Sequence, residues 1–156
     1  MKKTALAAAL LATLPAFADD LLPEARKVAS MVPPKLLAVL TVEMDKSGPE
    51  GAIGVCREKA PEMAKAASQQ TGWAIRRVSL NNRNPKAVPD AWERAALEDF
   101  DRRAAAGESP AMLEKGELVT EDGKKSYRYM KALPTVEVCT NCHGPQDKLS
   151  PAVKEK

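Results

Sequence analysis

The chain is poor in the residues that most often build metal and catalytic sites. It has one histidine in 156 residues and three cysteines, so any site that needs two imidazoles is excluded. Long apolar runs are equally scarce. The one near the start, Ala5–Leu14, falls short of the roughly 20 residues a membrane helix requires, and no later stretch approaches that length. No internal repeat or low-complexity segment occurs, which sets aside solenoids. Charge of one sign is also missing: taking Lys2 and Lys3 from the 24 basic residues leaves 22 against 21 acids, a charge of +1. Nothing in that balance points to nucleic acid.

What is present concentrates at two ends. Lys2 and Lys3 precede the apolar run, and Ala16-Phe17-Ala18 before Asp19-Asp20 forms an A-x-A cleavage site, so residues 1–18 read as a signal peptide. The expectation is a periplasmic protein, cleaved after Ala18 and without a transmembrane anchor thereafter. The remaining 138 residues suit a single domain. Residues 19–143 are taken as that domain and 144–156 as a short C-terminal tail.

Near the other end stands Cys139-Thr140-Asn141-Cys142-His143, the C-x-x-C-H pattern of covalent c-type haem attachment. Each thiol adds to one vinyl group of the porphyrin, and the residue after the second anchor is thereby delivered to the iron. Cys139 and Cys142 are the candidate thioether anchors for one haem c, and His143 is the candidate proximal ligand. Since His143 is the sole histidine, no distal histidine can exist. A zinc site from Cys56, Cys139, Cys142 and His143 is disfavoured, because adjacent Cys142 and His143 can hardly both reach one tetrahedral ion. A thioredoxin-like dithiol would need a strand and helix that this position has no room for.

Between the ends, the pattern predicts α+β architecture, with helices first, an antiparallel sheet after them, and a late hairpin leading into C-x-x-C-H. Leu22–Met44 has helical periodicity, which Pro33-Pro34 must kink or divide. Ser47-Gly48-Pro49-Glu50 reads as a capping box for a second helix running to about Gln70 and stopping near Gly72. Trp73–Leu80 reads as a strand, with alternation broken by Arg76 and Arg77. Asn81–Pro85 is turn chemistry. Asp90 and Glu93 cap a third helix through Trp92, Ala96 and Phe100 to Gly107, and Asp122-Gly123 is a two-residue hairpin signal between Leu118–Glu121 and Lys124–Leu133.

Cys56 is the odd thiol. In an oxidising compartment it calls for burial or a partner, and Ile53, Cys56, Ala60, Met63 and Ala67 fall at helical spacing, which predicts one apolar stripe that could pack against a flat ring. From the residues alone Cys56 is either a distal iron ligand, a buried small side chain or an interchain bridge. Met44, Met63, Met112 and Met130 compete as soft ligands. Pro61 should bend the helix beside Cys56. Arg76, Arg77 and Arg83 could pair with haem propionates, Arg83 and Arg77 being the named candidates, or form a solvated basic face. Tyr127, Tyr129, Trp73 and Trp92 read as core or pocket packing.

Several motifs in order are similar to one family. Ala52-Ile53-Gly54-Val55-Cys56 with Ala60-Pro61, Arg76–Leu80 leading into Arg83-Asn84-Pro85, Pro89–Glu93, and Cys139–Gly144 resemble exported c-type haem domains of PAS-like fold, once classed as a domain of unknown function. They occur alone or as sensor portions of bacterial signalling proteins. The resemblance spans about Ala25–Gly144. It implies iron held by His143 and by a thiolate from Cys56, and a PAS-like sheet. Longer relatives continue well past the haem motif, so the expectation is either that the last strand is absent here or that the sequence is truncated. A thiolate ligand implies a reduction potential below that of a His/Met cytochrome. The leading expectation is low-potential electron transfer with a periplasmic redox partner. The alternative is a haem-based redox or gas sensor acting through a signalling partner protein, and a sulfur-oxidising enzyme ranks third.

Overall fold

The computed structural model describes residues 17–156, with side chains from Leu21 onward, so all but the last two residues of the predicted signal peptide lie outside the described residues. The first helix, α1, is Phe17–Ala29. Three residues later Pro33 opens α2, Pro33–Gly54. The proline pair thus divides the predicted helix in two: Pro33 takes the first helical position, where a missing N–H costs nothing.

The expected capping box at Ser47 does not form. Instead Ser47 Oγ donates to Glu43 Oε1 at 2.6 Å, and the chain breaks direction at Gly48 (φ 67°, ψ −176°), which divides α2 into two helical segments. A positive φ of that size is accessible to glycine at little cost, so Gly48 separates two helical segments and the second starts at Pro49, where the sequence places it, but without the Ser47 cap. The helix then widens into a π turn, Val55–Lys59, in which the Ala60 N–H donates to the Val55 carbonyl. It resumes as α3, Ala60–Thr71, which ends on Gly72 in the left-handed region (φ 78°) as the sequence predicts.

The predicted strand over Trp73–Leu80 is not one. Residues 73–79 form neither helix nor strand and have no ladder partner among the described residues. Side chains hold this segment in place of a ladder. Ser68 Oγ accepts from the Ile75 N–H at 3.0 Å, Arg76 donates to the Val88 carbonyl at 2.7 Å, and Trp73 meets Tyr127 edge-on at 6.2 Å.

Helix α4, Ala91–Ala105, carries the full reciprocal cap: Asp90 Oδ1 accepts from the Glu93 N–H, and Glu93 Oε2 accepts from the Asp90 N–H, both at 2.9 Å. Strands β1, Glu114–Glu121, and β2, Lys124–Lys131, pair antiparallel from Glu114↔Lys131 to Glu121↔Lys124. Asp122 (φ 50°) and Gly123 (φ 75°) make the turn, the two positive angles of a type I′ hairpin. Helices followed by this two-stranded sheet are the observed α+β architecture.

The hairpin leads into α5, Glu137–His143, and the chain closes with α6, Pro151–Lys154. The last thirteen residues pack inward, burying Leu149 and Val153, while Ser150 Oγ donates to Glu50 Oε1 at 3.1 Å. Two apolar regions result. One gathers Leu40, Ala52 and Val55 with Leu36, Met44, Cys56 and Val138 packed against it. The other holds the hairpin side, where Ala25, Val28, Ala96, Phe100 and Leu113 are buried.

Candidate functional site

Helix α5 explains why the motif has its spacing. On a helix, positions three and four apart share a face, so Cys139, Cys142 and His143 project from one side. The intervening residues turn back on their own backbone. Thr140 Oγ1 donates to the Glu137 carbonyl at 2.6 Å, and Asn141 Nδ2 donates to the Val138 carbonyl at 3.1 Å. After His143 the chain turns away at Gly144, where a Cβ would lie 2.5 Å from the Thr140 carbonyl oxygen. Only glycine fits that close approach. Val138, one turn before Cys142 along the same side of α5, packs on the Leu40–Ala52–Val55 cluster, the same cluster that receives Cys56.

Cys56 lies in the π turn, half-buried. Pro61 accounts for the turn: it has no N–H for the Arg57 carbonyl, and its ring would collide with that carbonyl in a regular α-helix. The expected bend is therefore realised as an extra residue within one turn. This divides the apolar stripe read from the sequence. Cys56 stays with Val138 and Met44, whereas Met63 and Ala67 face a groove shared with Met31, Val32 and Lys35. Of the four methionines weighed as ligands, Met44 alone packs in the Cys56 cluster. Met112 is 72 % exposed and Met130 lies on β2 opposite Lys115.

Electrostatics bind the site residues to one another. Burial pushes the Cys56 thiol up, with the Arg77 guanidinium opposing and Cys139 adding to the rise. Burial also raises Cys142, assisted by Cys56 and Glu50 and opposed by Arg83. His143 is lowered, first by burial and then by Arg77 and Arg83, which disfavour a second positive charge beside them. Three thiols, one imidazole and two guanidinium groups thus share one neighbourhood. Arg83 also donates to the Cys142 carbonyl, and it lines a cleft of about 500 Å³ with Gln146, Asp147, Leu149, Val153 and Lys154. Arg76 points elsewhere, 2.7 Å from Glu93 Oε2.

The sequence profile of the Tll0287-like family matches residues 3–156, nearly the whole chain. The chain belongs to the Tll0287-like family. No curated protein and no solved structure matches it. No helix among the described residues of this Tll0287-like chain is long and apolar enough to cross a membrane.

The donor set fits a porphyrin iron better than a bare ion. Among the described residues no three His, Cys, Asp or Glu side chains gather as a metal ion would need. A porphyrin supplies four nitrogens itself and asks of the protein only axial ligands and edge anchors. Cys139, Cys142 and His143 on one helix face are the residues that would hold such a group, with Cys56, Arg77 and Arg83 within electrostatic reach of them. Glu50, Val138, Gly144 and Ser150 were not singled out as site residues by sequence. Glu50 and Ser150 meet only because the last residues fold back, and no sequence pattern announces that.

Proposed function

We propose that this chain is a periplasmic monohaem c-type cytochrome that transfers electrons at low potential. Cys139 and Cys142 anchor one haem c, His143 is the proximal ligand and Cys56 the distal one. The observation that carries this reading is the meeting of α5 with the π turn: Cys56 packs on the same apolar cluster as Val138 of α5, and Arg77 lies within electrostatic reach of both Cys56 and the lone His143, 87 positions apart in sequence. When bound, the haem supplies a one-electron couple at iron.

The chain's own residues tune that couple. An anionic sulfur donor favours ferric iron, so Cys56 would hold the potential below that of a His/Met site. Arg77 opposes the rise of the thiol's pKa and so favours the thiolate needed for ligation. Arg83, fixed to the Cys142 carbonyl, stands where a carboxylate at the porphyrin edge could be met by its fork. Val138 and Val55 shield the sulfur from water. The PAS-like arrangement expected from the resemblance would set residues 73–79 beside the hairpin, and Trp73 meets Tyr127 there.

The π turn supports a second reading, a redox or gas sensor acting through a partner. Such turns recur at functional sites, and loss of a bond to Cys56 would free the side chain that this turn carries. Sulfur-oxidising catalysis ranks third, since no reactive thiol remains once the anchors and the ligand are assigned.

The test is an optical and EPR redox titration of protein matured in a host competent for cytochrome c assembly. The expected result is one haem per chain by pyridine haemochrome, a low-spin ferric signal, and conversion to high spin or to Met44 ligation in Cys56→Ala. Colourless protein would overturn the cytochrome assignment. An unaltered ferric spectrum in Cys56→Ala would overturn the thiolate. Carbon monoxide binding by the ferrous wild type, with slow reduction by a small cytochrome, would favour the sensor.

A further inference from the structure

Helix α2 is apolar on more sides than its neighbours cover. Leu36, Leu40 and Met44 face the core and carry α5 and the π turn. On the outward side of the same helix Lys35 borders the groove with Met63 and Ala67, whereas beyond it Leu37, Val39 and Val42 lie 40, 39 and 67 % exposed. A helix with apolar residues nearly all round is ordinarily enclosed.

The outward face has a definite pattern. Lys35, Ala38, Thr41, Val42 and Asp45 recur at spacings of three and four, the period of a helix–helix seam, with Leu37 and Val39 on its flanks. All precede the kink at Gly48, so the seam is straight over about 15 Å. Ala38 is small enough for close approach. Charges of opposite sign close the two ends, and neither Lys35 nor Asp45 has an ion-pair partner among the described residues.

We propose that this face pairs with the same face of a second copy of the chain, the two α2 helices running antiparallel about a two-fold axis at the level of Leu40. The arithmetic of positions selects that partner. Antiparallel pairing about residue 40 sets Lys35 opposite Asp45 of the second copy, and Asp45 opposite its Lys35. It also sets Ala38 opposite Val42 in both directions, so a small side chain meets a larger one. An isologous interface must be self-complementary in this way. A parallel pairing would place Lys35 against Lys35 and Asp45 against Asp45. The seam and the α5 anchor occupy opposite faces of α2, so dimerisation leaves the Cys139–His143 motif free.

One seam of three turns buries less than the roughly 1,200–2,000 Å² of a standard stable interface. The dimer is therefore a weak, concentration-dependent one.

The experiment is sedimentation equilibrium of the mature protein from micromolar to about 1 mM, at low and high salt. The expected result is a monomer–dimer equilibrium that Val42→Glu abolishes. Lys35→Glu or Asp45→Lys alone should each weaken association about tenfold, because two symmetry-related pairs turn repulsive. The double variant Lys35→Glu/Asp45→Lys should restore it. A monomer at every concentration would overturn the proposal, as would failure of the double variant to recover. Residues 1–18 are the rival occupant: coverage of Val42 by them in uncleaved chain, with no dimer once they are removed, would also overturn it.

Discussion

The hairpin side and the motif side of this molecule are held together by different means. On the hairpin side, polar groups interlock across elements distant in sequence. Arg128 reaches Asp90 at 2.5 Å, Glu121 at 3.2 Å and Glu93 at 3.5 Å, and its guanidinium lies 4.5 Å from the Trp92 ring centre. Arg26 pairs with Glu114 through Nε at 2.9 Å, and Tyr129 donates to the same carboxylate at 2.6 Å. Trp73 Nε1 donates to Glu24 at 3.0 Å. The motif side has few such ties. Arg83 to the Cys142 carbonyl and Ser150 to Glu50 join α5 and the last residues to the rest, and otherwise apolar contact with half-buried thiols does the work. The difference teaches where order comes from: the hairpin side carries its own cross-links, whereas the motif side would gain most from the covalent haem proposed for it.

The strongest way to sharpen that contrast is to remove the anchors. Cys139→Ala/Cys142→Ala should abolish covalent haem, read as loss of haem staining on a denaturing gel. In hydrogen exchange, α5 and the Val55–Lys59 turn should then lose protection by tenfold or more while β1 and β2 keep theirs. Equal loss on both sides would show a single cooperative unit.

Next in size is Leu113→Ala. Leu113 is 1 % exposed just before β1, and truncating a buried leucine costs about 2–4 kcal/mol. The thermal midpoint should fall by several degrees, with the haem spectrum unchanged. A changed spectrum would mean that strain at the hairpin reaches the iron.

A smaller effect is expected of Glu93→Gln. This buried carboxylate accepts from the Asp90 N–H and from Arg76, and it faces Arg128. Weakening charge-assisted bonds of this kind costs about 1–2 kcal/mol. Chemical denaturation should register the loss, and the double variant with Arg76→Ala should show less than the sum of the two single losses.

The mildest perturbation is acid. The Arg26 guanidinium, with Tyr129 assisting and burial opposing, holds the Glu114 carboxyl down at about 2 from its ordinary 4.5. Since the folded value is the lower one, this group's stabilisation is complete above pH 4.5. It is lost as pH falls from there toward 2. The wild type should therefore lose stability over that window more steeply than Glu114→Gln, as followed by thermal melts between pH 6 and 2.5.

Local chemistry was legible in the sequence where one short segment decides the outcome. Asp90 with Glu93 announced the cap of α4, Asp122-Gly123 the type I′ turn, Pro33 the break after α1, and Gly72 the end of α3. Each rests on contacts within a few residues. Ser47 misled because its hydroxyl had a rival acceptor in Glu43, one helical turn back. Trp73–Leu80 misled because a strand needs a neighbour, and the adjacent arginines broke its alternation. The Ile53–Ala67 stripe misled because Pro61 was weighed as a bend, whereas the helix answered by admitting an extra residue.

The sequence by itself determined which atoms could bind a porphyrin: two thiols at the attachment spacing, one imidazole with no possible second, and one cysteine to spare. Those are matters of count and of neighbours along the chain. Only the tertiary structure decided that Cys56 and Met44, rather than Met63, Met112 or Met130, share a cluster with α5, and that the last residues close over Glu50. Contacts between positions 80 or 100 apart depend on how whole helices pack. The packing of α2 turns on a kink at Gly48 and a widened turn after Gly54, which shift every later side chain around the helix axis beyond what periodicity can follow.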